Sequence, residues 1–248
     1  KTVLVNTQKV RKVVNYIKYS DIEIFEGKVS KHKYPWHFHN CYTLIFVEKG
    51  SVKYEFKEKS IKIDEAEAII IEPLKVHRNT ISRYTAYKAI FIPREYLEKY
   101  IFTLKVTNTN VVDSLADLFK KVKLNYDKNE IKKVISEICE ILINSQVEKI
   151  ADSSLINHEV PKIKHDLSIK ELAEEAHLSK FHFQRKFKKN CGLTIGQLKL
   201  QEKAMAAKAL LEKGKLSTDV AYELGFFDQS HFIRYFKKMW ATTPRNFK

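Results

Sequence analysis

Glycine and proline are scarce in this chain, six and five among 248 residues, so collagen-like repeats and Pro/Gly-rich disorder are excluded. Cysteine is rarer still. The three present, Cys41, Cys139 and Cys191, lie far apart and form no CxxC pair, which argues against a disulfide framework or zinc ribbon and fits a reducing cytoplasm. No apolar run exceeds four residues, as in Ala68-Ile69-Ile70-Ile71, and residues 1–11 alternate, so neither a membrane span nor a signal-peptide core is expected. Position 1 is Lys rather than Met, which suggests a chain trimmed or processed at its start. Gly-rich phosphate loops, Ser/His/Asp spacing and zinc-finger spacing are absent too. Acids are outnumbered, 30 against 45 Lys and Arg, for a net charge of +15. Such a surface favours a polyanion or an anionic membrane over an acidic protein partner.

What is present divides along the chain. Residues 37–47, 51–57, 61–63, 68–71 and 86–92 alternate or run apolar and are rich in Val, Ile, Tyr and Phe, the pattern of short strands in a small barrel or sandwich. Gly50 is the best hairpin signal among them. After Pro93 the spacing turns helical, with Val111, Leu115, Leu118, Phe119 and Val122 on one face and Ile131, Val134, Ile135, Ile138, Ile141 and Leu142 on another. Two amphipathic helices of this kind need a partner surface, and their stripes look larger than a small barrel would cover. The polar stretch around 152–161 then reads as a linker. Residues 161–248 hold 18 Lys and Arg against 9 acids, net +9, which concentrates the positive charge at the C-terminus.

An internal repeat lies in that basic segment. His182-Phe183-Gln184-Arg185-Lys186-Phe187-Lys188-Lys189 and His231-Phe232-Ile233-Arg234-Tyr235-Phe236-Lys237-Lys238 share H-F-x-R-x-F-K-K, too close a match for chance. Upstream of each is a short apolar helix pattern with a serine N-cap candidate, Ser168 or Ser217, closed by His177-Leu178 or Gly225-Phe226. Helix, tight turn and basic helix make a helix-turn-helix unit. The phenylalanines four apart must bury, which turns Phe181, Gln184, Arg185 and Lys188 outward, where Arg and Gln offer bidentate pairing to guanine and adenine in a major groove. The rival reading, a merely solvated basic face, is weakened by the second copy.

These residues resemble the C-terminal domain of the AraC/XylS family of bacterial transcription regulators, most specifically through Ala221, Gly225-Phe226, Phe232, Arg234, Phe236-Lys237-Lys238 and Thr243-Pro244. The resemblance implies base contacts by Phe181, Gln184 and Arg185 in the first unit, with Lys188 beside them, and by Gln229, Ser230, His231 and Arg234 in the second, with locking the fold or holding a phosphate as the alternative role of Arg234. Three departures stand out. Ala241 occupies the place of a helix-ending Gly, Ile195 that of the second copy's proline, and Val160-Pro161-Lys162 interrupts the region of the family's first helix. Regulators of this plan commonly carry a cupin-like sensing barrel and a helical dimerisation pair. Pro35-Trp36-His37-Phe38-His39 and Pro73-Leu74-Lys75-Val76-His77 resemble barrel motifs, although Glu65-Ala66-Glu67 replaces the usual Gly-Asp.

On a strand, His37, His39, Cys41 and Thr43 would share one face, with His77 approaching from another strand. Same-face neighbours are ~6.6 Å apart, so His37 and Cys41, about 13 Å apart, cannot share an ion, whereas His37, His39 and His77 can. Three readings stay open here: a divalent metal on those histidines, an organic effector among His37, His39, Thr43 and His77, and a purely structural pocket. No cofactor is certain. The expected fold is multidomain α+β: a cupin-like barrel over 1–100, a helical dimerisation segment over 101–152, a linker over 153–162, and an all-α domain with two helix-turn-helix units over 163–248. The expected function is a cytoplasmic, effector-modulated, sequence-specific DNA-binding regulator rather than an enzyme. Its partners would be double-stranded DNA, a small molecule, a second copy of the chain and RNA polymerase, with no membrane. A cupin-type metalloenzyme is one rival, disfavoured because Thr43 and Leu44 stand where cupin enzymes place a carboxylate. A non-specific electrostatic binder is the other, disfavoured by the duplicated face.

Overall fold

The computed structural model describes residues 13–19, 21–97, 101–106, 109–123, 127–144 and 167–247, with ten strands and seven α-helices among them. Strands β1 (Val13–Tyr19), β2 (Ile22–Val29), β3 (His32–Lys33), β4 (Tyr42–Lys49), β5 (Ser51–Glu55), β6 (Ser60–Asp64), β7 (Glu67–Ile71), β8 (Arg78–Ile81), β9 (Thr85–Ile92) and β10 (Leu104–Val106) form two antiparallel sheets. The six-stranded sheet runs β1-β2-β9-β4-β7-β10 and the four-stranded sheet β3-β8-β5-β6. The sheet thus continues to residue 106, past the expected domain boundary at 100.

The apolar runs in β4, β7 and β9 have a simple cause, which is burial on both faces. Leu44, Phe46, Ala68, Ile70, Ile90 and Ile92 face outward into one core, while their alternates Ile45, Val47, Ile69, Ile71, Tyr87 and Ala89 face the barrel interior. Helices α1 (Thr109–Lys123) and α2 (Lys128–Asn144) cover the outer face. Val111, Leu115, Leu118, Phe119, Ile131, Ile135, Ile138 and Leu142 are all buried in that same core. This corrects the expectation that the stripes exceed what the barrel can cover. A wide sheet face absorbs them within one chain, and the argument for a dimer drawn from them falls away.

Two further corrections concern turns. Gly50 does not close a hairpin: β4 and β5 belong to different sheets, and the chain passes between sheets at this corner. Its φ of +88° and a would-be Cβ 2.4 Å from the Tyr84 carbonyl oxygen explain why glycine stands there. Residues 38–41 are not strand, and His37 makes only an isolated bridge with His77. Cys41 consequently leaves the shared face.

The C-terminal helices are α3 (Ile169–Glu175), α4 (Lys180–Cys191), α5 (Ile195–Glu212), α6 (Ser217–Glu223) and α7 (Gln229–Trp240). Ser168 caps α3 in a full capping box with Glu171, as expected. Ser217 does not cap α6; Leu216 holds that place, and the Ser217 hydroxyl accepts from the Gln229 amide at 3.2 Å. The linker at 153–162 and the Val160-Pro161-Lys162 departure lie outside the described residues. Among those described, no helix is long and apolar enough to cross a membrane.

Glycine's scarcity leaves alanine in left-handed turns at Ala66, φ 61°, and Ala241, φ 54°. Ala66 is exposed, so Ala66→Gly is expected to stabilise by about 0.5–1 kcal/mol, relief of strain outweighing added unfolded-state entropy. The Ala241 methyl is buried against the barrel core, so Ala241→Gly should be nearly neutral. Urea midpoints of the two variants check the contrast.

Candidate nucleic-acid interface and effector cavity

Both helix-turn-helix units follow one local design. After α3 the chain turns at His177, φ 53°, and the Leu178 amide donates to the Ala173 carbonyl; after α6 it turns at Gly225, φ 61°, and the Phe226 amide donates to Ala221. The second turn carries one extra residue, Phe227, before its N-cap. Ser179 caps α4 and Asp228 caps α7, each through the amide three residues on. The helices end in equivalent left-handed residues, Gly192 and Ala241, so the second copy keeps the conformation without the glycine.

The faces differ in how they are held. Phe232 and Phe236 are fully buried in α7, whereas Phe183 and Phe187 of α4 are only half-buried against Leu172, Ile195 and Leu198. Phe181 is 74% exposed, Arg185, Lys188, Ser230, Gln229 and Arg234 are exposed, and Gln184 and His231 are half-buried. Neither helix carries an acid. Two of the eight expected residues are partly engaged: the Gln229 amide donates to Ser217, and the His231 ring stands edge-on to Phe226 at 5.6 Å.

The barrel interior holds a cavity of about 60 Å³ whose wall includes His37, His39, Thr43 and His77, all four residues expected there. Cys41 lines the neighbouring cleft instead. Ring centroids lie 4.4 Å apart for His37 and His77, 5.0 Å for His37 and His39, and 5.5 Å for His39 and His77. The main chains of His37 and His77 exchange two hydrogen bonds of 2.8 Å, and each ring Nδ1 donates to the carbonyl two residues earlier, Pro35 or Lys75, at 2.8 Å. Burial depresses all three imidazoles, His37 to about 4, and His37 and His77 further disfavour a proton on His39. They are neutral at pH 7.

The rest of the wall was not legible as a site. Tyr34 and Tyr87 share a hydroxyl hydrogen bond, Tyr54 and Asn79 lie nearby, and Met239 and Trp240 reach in from the end of α7. A signal for the last two exists in the repeat: where the first copy has Asn190-Cys191, the second has Met239-Trp240, a change from polar to large apolar. Between His37 and His39, Phe38 points the other way, into the core of the first unit. Gln201 of α5 grips its main chain twice, accepting from the amide at 3.3 Å and donating to the carbonyl at 2.9 Å. Lys208, also on α5, is buried between the rings of Tyr16 and Trp240 and ion-paired to Glu23 of β2.

Residues 19–159 match the family described as an AraC-like ligand binding domain, and residues 172–248 match a helix-turn-helix domain. The chain belongs to the AraC family. It is a transcription regulator with a ligand-binding N-terminal domain and a helix-turn-helix DNA-binding domain. This AraC-family chain is 25% identical over 235 residues to the HTH-type transcriptional regulator YbfI of Bacillus subtilis (strain 168), covering 85% of each chain. It is 39% identical over 83 residues to the probable transcription factor PqrA of Proteus vulgaris, covering 33% of this chain and 68% of that protein. The structure of unsaturated fatty acid bound wild-type ToxT from Vibrio cholerae shares the fold, with a TM-score of 0.57 at 13% identity over 94% of this chain and 95% of that one.

Proposed function

We propose that this regulator reads two short DNA boxes with α4 and α7, and that a small molecule in the barrel cavity alters both readers at once. The observation that carries the proposal is the cavity wall itself, where Met239 and Trp240 of the second unit complete a pocket built from barrel residues. The first unit is joined through Phe38, set between two cavity histidines and gripped by Gln201. An occupant that shifts His37 or Trp240 therefore moves α5 or α7, which is differential contact of the kind allostery requires.

Within that scheme Arg185 and Arg234 pair with guanine, Gln184 and Gln229 with adenine, Phe181 meets a thymine methyl, and Lys188 holds a phosphate, with Ser230 and His231 at the start of α7. Domain limits of 1–100, 101–152, 153–162 and 163–248 frame these parts, with β10 added to the barrel. A DNA target supports a cytoplasmic location. A second copy would dock on the polar outer faces of α1 and α2, and RNA polymerase on exposed apolar residues outside the recognition helices, Leu216 and Tyr222. A metalloenzyme is disfavoured because no carboxylate lines the cavity among the described residues.

Arg185→Ala is expected to weaken specific binding by about 1–3 kcal/mol, while Lys188→Ala weakens all sequences nearly equally. Titrations against selected and random fragments at fixed salt separate them; equal losses for Arg185→Ala on both would end its base-reading role. The coupling is tested with Ala89→Leu, which fills the cavity far from DNA. Operator affinity should change by about fivefold or more, the low end of measured couplings. A folded variant with unchanged affinity refutes it.

A further inference from the structure

The cavity has a chemical imbalance. Because a carbonyl oxygen only accepts, Nδ1 of His37 and of His77 carries the proton, and Nε2 of each is left as a lone pair. His39 adds a third neutral imidazole, and one nitrogen from each ring lies within 4.8 Å of the others. Acceptors thus converge. The wall offers them no Lys or Arg and no carboxylate among the described residues. Carbonyl bonds to the far nitrogens are how metal-ligating histidines are oriented in proteins.

We propose that His37, His39 and His77 bind one divalent transition metal ion through three imidazole nitrogens, and that this ion gives the cavity the positive charge needed to receive a small carboxylate. Three neutral imidazoles suit zinc, cobalt, nickel or iron, and Cys41, which lines the adjoining cleft and is not in the cluster, takes no part. Zn–N bonds of about 2.0–2.1 Å put tetrahedral ligands ~3.3 Å apart, so the rings must draw in by up to about 1.5 Å. His39 is the half-buried member of the three. Three ligands leave a coordination position open. The donors being uncharged, the full double charge remains on the ion, inside a wall of Tyr, Phe, Ile, Ala, Met and Trp side chains with Thr43 and Asn79 as its other, uncharged polar groups. A carboxylate with a short apolar tail fits that combination, its head on the ion and its tail against Phe91, Met239 and Trp240.

The second half of this inference rests on reading the cavity as the effector site, and the test keeps the two apart. Untagged, metal-free full chain is titrated with cobalt(II) alone, then with sodium hexanoate. One cobalt per chain with visible d–d bands is expected, with Cys41→Ser unchanged. His39→Ala, which removes a ring without a recorded hydrogen bond, should bind more weakly by at least the ~10–100-fold that loss of an outer-shell partner alone costs. Hexanoate should perturb the bands and should not bind the metal-free chain. No bands, or equal cobalt affinity in His39→Ala with an unchanged circular dichroism spectrum, overturns the metal site. Hexanoate binding equally with and without cobalt overturns the carboxylate role. Cobalt and hexanoate binding with no effect on operator affinity supports both and refutes the functional coupling instead.

Discussion

Trp240→Ala is expected to cost about 3–5 kcal/mol of stability and to sever the cavity from the second DNA-reading unit. Trp240 is buried among Tyr16, Phe236 and Phe247 at ring separations of 5.8, 6.2 and 6.2 Å, with Lys208 over its ring at 5.3 Å. Truncation removes the largest apolar area at the joint and strips one of the two π faces that flank a buried cation. It also opens the cavity wall toward the cleft that Trp240 shares. The chain's other tryptophan is the control. Trp36 is half-buried beneath the Arg78 guanidinium at 4.8 Å, so its replacement by Ala should cost only about 1 kcal/mol. Urea unfolding followed by circular dichroism measures both. For Trp240→Ala the midpoint should fall steeply, and any ligand that shifts operator affinity in the parent should no longer do so. Equal midpoints for the two variants would show that Trp240 is not the keystone assigned here.

The helix-turn-helix units were legible because their signals are local: an i, i+4 pair of phenylalanines, a capping residue and a repeat. Those depend on a few neighbouring side chains, and the structure preserves the repeat and the Ser168 cap, while the expected Ser217 cap fails. The three-histidine cluster was legible for a weaker reason, two X-x-His segments, and its assembly depends on a bridge between residues 40 apart. What the sequence hid was which surface each apolar stripe meets. The stripes of α1 and α2 look the same whether they cover a sheet or a second copy, since periodicity reports burial and not the partner. Gly50 likewise announces a left-handed turn, but a hairpin and a corner between sheets ask for the same residue. Strands β1, β2, β3, β8 and β10 lie outside the segments read as strands, and the two-residue β3 is a strand through pairing rather than composition. The joint was hidden most deeply, as Phe38, the α5 pair Gln201 and Lys208, and Trp240 come from three separate segments.

The joint also bears on how DNA is read. The carbonyl of Lys189, near the end of α4, accepts from Lys57 Nζ at 3.5 Å, and that of Lys238, near the end of α7, accepts from His32 Nε2 at 3.0 Å. Each recognition helix is thus fastened by its C-terminal turn to one barrel. Between them α5 has 18 residues, about 27 Å at 1.5 Å each, and the flanking turns bring the separation toward the ~34 Å of one DNA turn. One chain should therefore occupy two boxes about 10 bp apart on one face of the duplex. Inserting about 5 bp between them turns the second box to the far side, and affinity should fall by at least about 100-fold, since losing several base contacts at about 1–3 kcal/mol each exceeds 2.7 kcal/mol. An insertion of about 10 bp is the sharper probe. It restores the face but doubles the distance, so two units fastened to one body should still fail, whereas two units on a slack tether should recover. Footprints showing both boxes protected after either insertion would mean that the barrel does not hold the readers as one body in the DNA-bound state.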